Sequence, residues 1–322
     1  MPPEEFPVSS NVILFGAGAS YGSEPAGTRV PPLGAKLYEE LCAFSPDLWA
    51  ALPSPYPDLF RTDFEQGFER LAQDSPSPLS VGFNPAMSYP SHLTGPLLRK
   101  MAEFFLQFEP TKDSLYGRLA ERIRATGWHG ALASLNYDLL LPLSLDRAVL
   151  VAQLNLWGDM RSLRVCLPHG CCALLIQPGV LTGQATLVGI GNSIEAPIVF
   201  EKNTAVARER LRAEFVPPVM SYFEPLKTAV TAPAFLAQQR SYLSEAVTNA
   251  DVVTIIGVQV RERDEHIWDP LGLTAARLVY CSRETDGFQG WSDRRRPSRT
   301  DVILRSTFEA SFDELCRHAG IV

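Results

Sequence analysis

Long apolar runs are missing from this chain: none approaches the roughly 18 residues that a membrane-spanning helix needs, although 46% of its 322 residues are hydrophobic. A membrane span is therefore not expected, while a sizeable buried core needing neither disulfide nor metal is. The first ten residues carry Glu4 and Glu5 and no basic flank, unlike a signal peptide. Excess positive charge is lacking too. A net charge of -7 argues against a general binder of nucleic acid or anionic membrane, since phosphates attract basic surfaces. The cysteines, Cys42, Cys166, Cys171, Cys172, Cys281 and Cys316, form neither two Cys-x-x-Cys pairs nor a secretory framework. A zinc ribbon is not expected, and a reducing cytoplasm fits best. No internal repeat and no low-complexity tail are found.

What is present is an alternation of strands and helices. Val12-Ile13-Leu14-Phe15 is an apolar run ending in glycine, followed by a helical pattern over Leu33 to Phe44. Helical patterns recur at Asp63 to Gln73, Pro96 to Phe108 and Tyr116 to Thr126, with a Pro- and Gly-bearing loop from Ser75 to Pro90 between the first two. Short apolar segments at Ala131 to Leu135, Leu163 to Leu167, Val252 to Ile256 and Leu278 to Cys281 then read as strands buried on both faces of a parallel sheet. Helices are expected at Ala205 to Phe215, Ala234 to Val247 and Phe308 to His318. The pattern predicts an α/β fold: a Rossmann-like open parallel sheet with helices on both faces and an inserted helical module over about 45–126, the whole of 1–322 forming a single domain. The basic loop Arg294-Arg295-Arg296-Pro297-Ser298-Arg299 reads as solvated surface, with a partner or polyanion site as the sharper alternative.

Open α/β sheets bind ligands outside the carboxyl ends of their strands, and the chemistry-bearing residues fall at such junctions. Gly16-Ala17-Gly18-Ala19-Ser20 follows the first strand and offers small residues and amide N–H groups where a backbone can approach a pyrophosphate. It is neither a full Gly-x-Gly-x-x-Gly fingerprint nor a Walker loop, because Tyr21 takes the third glycine position and no Gly-Lys-Ser/Thr follows. Asn136 and Asp138 follow the next core strand, where either serves a site or caps the helix starting near Leu139. His169, held between Pro168 and Gly170, is suited to taking a proton near neutral pH; a lone turn histidine is also often structural. Of the others, His92, His129 and His318 have no comparable context, and only His266 lies near a strand end. Gly257 follows Ile255-Ile256 and leads into Val258, and this glycine would admit the ribose or adenine side of a nucleotide. Arg261 or Arg263 would meet phosphate, unless they simply open a charged helix. Cys281-Ser282, after Leu278 to Tyr280, would supply a polar contact to adenine through Ser282, or is simply the end of a strand.

In that order, these junctions resemble the sirtuin-like proteins, particularly the bacterial branch that destroys NAD in anti-phage defence. Gly16-Ala17-Gly18-Ala19-Ser20 with Pro31-Pro32-Leu33-Gly34 resembles that branch's first phosphate loop and helix. Leu135-Asn136-Tyr137-Asp138 is similar to its Thr-Asn-Tyr-Asp signature, and Pro168-His169-Gly170 to its His-Gly turn. Ile256-Gly257 with Asp264 resembles its Ile-Gly-Tyr-Ser and later acidic motif, and Asp63-Phe64-Glu65 its Phe-Glu element. The resemblance spans residues 11 to about 285. Deacylating sirtuins carry a four-cysteine zinc module after the His-Gly turn, and the cysteines here do not match it.

The resemblance implies an NAD glycohydrolase with NAD as substrate and no metal. Asn136 would orient a ribose hydroxyl or the attacking water, His169 would act as general base, and Asp138 would position the site or offset developing positive charge. Gly16, Ala17, Gly18, Ala19, Ser20, Gly257, Val258 and Ser282 would hold the nucleotide. An NAD-dependent deacylase or ADP-ribosyltransferase is the nearest alternative, and a catalytically silent subunit binding an NAD derivative is one of another class. Because the chain ends soon after its last predicted helix, control is expected from a homo-oligomer or a separate regulatory protein, with no membrane and no sequence-specific nucleic acid as direct partner.

Overall fold

Strand β1 (Asn11–Phe15) sends alternate side chains to two separate cores. In the computed structural model, which describes residues 11–74, 93–150, 152–153, 163–179, 186–188, 193–221 and 229–322, Val12 and Leu14 join one apolar cluster and Ile13 and Phe15 the other. Successive strand residues face opposite sides, so β1 is covered on both.

After β1 come α1 (Ala17–Tyr21), α2 (Gly34–Phe44), α3 (Tyr56–Thr62), α4 (Phe64–Asp74), α5 (Thr94–Phe105) and α6 (Leu115–Thr126). Then follow β2 (Ala131–Ser134), α7 (Leu140–Arg147), β3 (Ala152–Gln153) and β4 (Leu163–Cys166). Short strands β5 (Leu174–Ile176), β6 (Thr186–Val188), β7 (Ser193–Glu195) and β8 (Ile198–Phe200) precede α8 (Thr204–Ala213) and α9 (Pro233–Thr248). The chain returns to the sheet through β9 (Val252–Ile256), α10 (Glu265–Leu273), β10 (Arg277–Ser282), α11 (Asp286–Arg295), β11 (Val302–Arg305) and α12 (Phe312–His318).

The main sheet runs β11-β10-β9-β1-β2-β4-β3, and every pairing in it is parallel. Setting aside the two-residue edge strand β3, this is the dinucleotide-fold order, with the direction of winding reversing beside β1. The expected Rossmann-like sheet with helices on both faces is therefore present: α9, α10 and α11 supply Leu243, Trp268 and Phe288 to one face, while α2, α6 and α12 supply Leu41, Leu119 and Phe312 to the other. Helices α3 to α6 lie between β1 and β2 in sequence. Trp49, Phe60, Phe64 and Phe68 pack there as a cluster of rings, with centroids such as Trp49–Phe68 at 5.8 Å.

The expected strands and helices appear, all but β9 with shifted ends. Helix α12 starts at Phe312, because Phe308 to Ser311 turn before it. Strand β11 and the two small antiparallel sheets, β5 with β8 and β6 with β7, were not expected; segments of three or four residues are too short for periodicity to register. Helix α10 carries Pro270 inside it, which breaks the helical signal. The proline-rich loop over 75–90, His92 and residues 1–10 lie outside the described residues. Among the described residues, no helix is long and apolar enough to cross a membrane.

The reading of Arg294–Arg299 as solvated surface is corrected at Arg296, which is 3% exposed. Its guanidinium donates to the carbonyls of Leu271, Thr274 and Ala276 and to both oxygens of Asp301. A buried arginine is tolerated when its donors are satisfied in this way. Arg294 pairs with Glu262, and Arg295 with Asp269, on the surface.

Candidate functional site

The turn after β1 is held against the turn after β9 by backbone alone. Gly16 N–H donates to Ile256 O and Gly18 N–H to Gly257 O, each at 2.9 Å. The approach leaves no room for side chains: a Cβ on Gly16 would lie 2.6 Å from Gly257 O, and one on Gly257 would lie 2.2 Å from Ala19 N. Gly257 also has φ +63°, the left-handed region where glycine is favoured. So part of what the sequence offered to a pyrophosphate is spent within the protein. The N–H groups of Gly16, Gly18 and Ala19 are bonded to carbonyls, helix α1 is only five residues long, and the exposed Ala17 stands at its start. Val258 is buried beneath the loop, where its carbonyl accepts the Tyr280 hydroxyl at 2.6 Å.

Asn136, 7% exposed, is tied to that loop. Its Nδ2 donates to Gly16 O at 3.0 Å and to Ser20 Oγ at 2.8 Å, and its backbone N–H donates to Ser134 Oγ. With the amide nitrogen directed at the loop, Oδ1 is left as the acceptor end. Tyr116, from α6, reaches the same point: its hydroxyl lies 3.2 Å from Ser20 Oγ. Burial pushes the Tyr116 phenol well up, and the nearby Asp138 charge adds to this.

Asp138 serves as a cap. Its Oδ1 accepts the Leu140 N–H at 3.0 Å, at the start of α7. It is 5% exposed, and burial raises its carboxyl to about 6, opposed by hydrogen bonds from Leu140 and Ser20. A carboxylate so displaced is common at functional sites.

His169, 5% exposed, is carried on the turn after β4. Gly170 has φ +73°, and a Cβ there would fall 1.9 Å from Val219 O, so the His-Gly turn requires its glycine. The backbone joins this turn to the Asn136 segment: Ser221 N–H donates to His169 O, and Tyr137 hydroxyl to Ser221 O, both at 2.9 Å. His169 Nε2 lies 2.9 Å from His266 Nε2. The sequence flagged His266 only as the other histidine near a strand end; the missing signal was α10, which sets it against the turn. Arg240, on α9, donates to Pro168 O at 3.1 Å, and burial lowers its guanidinium while Tyr137 and Asp264 act to raise it. Neither Tyr116 nor Arg240 carried a motif, and each arrives from a helix face.

Arg261 and Arg263 face carboxylates. Glu65 Oε2 is 2.8 Å from Arg261 Nη1 and from Arg263 Nη2, with Asp63 at 3.5 and 3.6 Å. The insertion's Asp63-Phe64-Glu65 thus meets the loop after β9. Burial pushes the Tyr137 phenol up, opposed by its hydrogen bond to Ser221, with Glu65 and Asp264 adding to the rise and Arg240 opposing it. Ser282 stands half-buried at the end of β10, beyond Gly257, whose N–H donates to Cys281 O at 2.9 Å.

The structure therefore sets Gly16 to Ser20, Asn136, Asp138, His169, Gly257, Val258 and Ser282 along one carboxyl edge. They follow the consecutive strands β4, β2, β1, β9 and β10, a span of four strand spacings or about 19 Å. The loop and Asn136–Asp138 are in direct contact, His169 is joined to them through Tyr137 and Ser221, and Ser282 lies at the far end. The cysteine thiols nearby are poor nucleophiles: burial raises Cys171 to about 12 and Cys172 well above its ordinary value. Among the described residues, no three His, Cys, Asp or Glu side chains are gathered to hold a metal.

A parallel sheet of this order with polar residues converging on its carboxyl edge defines a Rossmann-like α/β protein with its site at the strand ends. No protein-family model and no curated protein matches the chain. Among solved structures it is similar to a mutant Sir2 homologue in complex with ADP-ribose, at 15% identity and TM-score 0.40, covering 96% of this chain and 91% of that one. It is similar also to a Sir2 homologue–NAD complex, at 15% identity and TM-score 0.39, covering 97% and 90%. A structure described as a basis for the mechanism and regulation of Sir2 enzymes matches at 15% identity and TM-score 0.43, covering 97% and 92%.

Proposed function

We propose that this protein hydrolyses NAD at the nicotinamide–ribose bond, releasing nicotinamide and ADP-ribose. The observation that carries the reading is the buried Asn136–Ser20–Asp138 group locked onto the glycine turn, with His169 on the neighbouring strand end. The C1′–N bond breaks with its electron pair passing to the pyridinium nitrogen, which leaves as neutral nicotinamide. Water adds at C1′ and gives up one proton. The protein's task is to stabilise the cationic ribose and to receive that proton.

In this reading Asn136, with its amide nitrogen held by Gly16 O and Ser20 Oγ, turns Oδ1 to a ribose hydroxyl or to the water. Asp138, raised to about 6, is largely ionised at neutral pH and sets negative charge near the developing cation. His169 takes the proton. Gly16 to Ser20, Gly257, Val258 and Ser282 line the nucleotide's path, the buried Gly16, Ala19, Ser20 and Val258 as support. Water is favoured over a peptide acceptor because the cysteines do not match the four-cysteine module of deacylating sirtuins. The motif resemblance further supports a regulated, NAD-depleting effector of anti-phage defence, cytoplasmic, formed as a single domain with its helical insertion, and restrained by another copy or by a separate polypeptide.

Nicotinamide release from NAD by the purified protein, alone and with its co-expressed neighbours, tests this. Asn136→Ala and His169→Ala are each expected to lower the rate by about 10²- to 10⁴-fold. Unchanged rates in both variants sink the residue roles, and modified peptide in place of free ADP-ribose sinks hydrolysis.

A further inference from the structure

Hydrolysis of NAD liberates one proton per turnover, and His169, at 5% exposure, is poorly placed to return it to water by itself. The ring that touches it differs in this respect. His266 is half-buried, sits in the first turn of α10, and meets His169 Nε2 to Nε2 at 2.9 Å with ring centroids 5.1 Å apart. A hydrogen bond between two imidazole nitrogens requires one to carry the proton and the other to offer its lone pair. Exchange of those roles moves a proton from one ring to the other with no motion of the backbone.

The charges around the pair are mixed. Asp264 and Glu265 stand beside His266 on its own element, the N-terminus of α10 opposes a positive charge there, and Arg240 of α9 holds the carbonyl of Pro168 next to His169.

We propose that His266 is the proton-relay partner of His169, a positioning residue that acts through it: the proton taken from water by His169 crosses the Nε2–Nε2 contact and leaves through His266 to solvent. This rests on the hydrolytic reading above. In each cycle the C1′–N bond breaks, a C1′–O bond to water forms, and the water proton passes from His169 to His266 to bulk.

The test compares nicotinamide release and NAD binding for wild type, His266→Ala and His266→Gln, with and without added imidazole. In His266→Ala, kcat is expected to fall roughly 10²-fold with NAD affinity unchanged, and imidazole is expected to restore the rate saturably. His266→Gln is expected to stay slow, because its amide hydrogen-bonds at the same point but cannot carry a proton through. Full activity in His266→Gln, no loss in His266→Ala, or failure of imidazole to rescue overturns the relay and leaves the hydrolytic reading standing. A wild type that binds NAD and releases no nicotinamide with its neighbours present overturns both. Imidazole ¹⁵N spectra read the contact without turnover: the His169 Nε2 resonance is expected to move in His266→Ala, and an unmoved resonance overturns the proposal.

Discussion

The contact between the turns after β1 and β9 is made of backbone, whereas the contact between α4 and the loop after β9 is made of charge. At the first, Gly16 and Gly257 approach so closely that added Cβ atoms would fall 2.6 and 2.2 Å from neighbouring backbone atoms. At the second, Arg261 and Arg263 meet Asp63 and Glu65 through side chains that remain 16–38% exposed. The two therefore differ in how they yield. Close-packed backbone has no alternative arrangement of similar energy, while half-solvated ion pairs exchange partners at little cost. A substrate bearing a pyrophosphate would find one wall fixed and the other open to competition.

The backbone wall should break hardest. Gly257→Ala places a Cβ at φ +63° against Ala19 N and Gly18 C. The left-handed conformation costs about 1–2 kcal/mol for a non-glycine residue and overpacking about 1–3 kcal/mol. A loss of roughly 2–5 kcal/mol in unfolding free energy is expected from urea denaturation, with NAD binding lost even where the fold survives. A variant as stable as wild type would show that the two turns can separate.

Asp138 sharpens the same contrast from inside the site. Its carboxyl is raised by burial from 3.8 to about 6, so the folded protein keeps this proton after the unfolded chain has released it. The resulting stabilisation is present below about pH 4 and is lost as pH rises through about 6. Asp138→Asn removes the buried charge while keeping an acceptor for the Leu140 N–H. At pH 7 it is expected to raise stability by up to about 3 kcal/mol, the equivalent of a shift of about two pH units, and to flatten the stability profile between pH 4 and 6. Nicotinamide release should fall in the same variant. Such an exchange of activity for stability is what a site residue, as opposed to a cap alone, would show; a variant that loses both would assign Asp138 to the fold.

The sheet was legible because its strands are continuous apolar runs ending in glycine or a polar residue, a pattern that survives without knowledge of neighbours. Val252–Ile256 was read to the residue. The edges were not: β3 and β5 to β8 are two or three residues long, and tertiary contacts, not local preference, make them strands. At the candidate site, Asn136, Asp138 and His169 stood out because strand ends carry ligands in this class of fold. Tyr116, Arg240 and His266 were harder to see because their helices, α6, α9 and α10, bring them in from far along the chain. Arg296 shows the converse. Its letters match those of a surface run, and only burial between α11 and β11, with Asp301 beside it, distinguishes it from Arg294 and Arg295.

The charged wall should give the smallest effect and the most informative one. Asp63→Asn with Glu65→Gln removes both carboxylates that face Arg261 and Arg263. Partly exposed pairs are worth about 1 kcal/mol or less, so thermal unfolding should fall slightly at low salt, and the difference should shrink near 1 M salt, where the screening length is about 3 Å. NAD affinity is expected to move the other way. With their carboxylate partners gone, the two guanidiniums are free to meet phosphate, and calorimetry should record a rise of roughly threefold, which corresponds to about 0.6 kcal/mol. A fall in affinity would mean that Asp63 and Glu65 shape the site by holding the loop after β9 in place. In that case both walls are structural, and the contrast between them disappears.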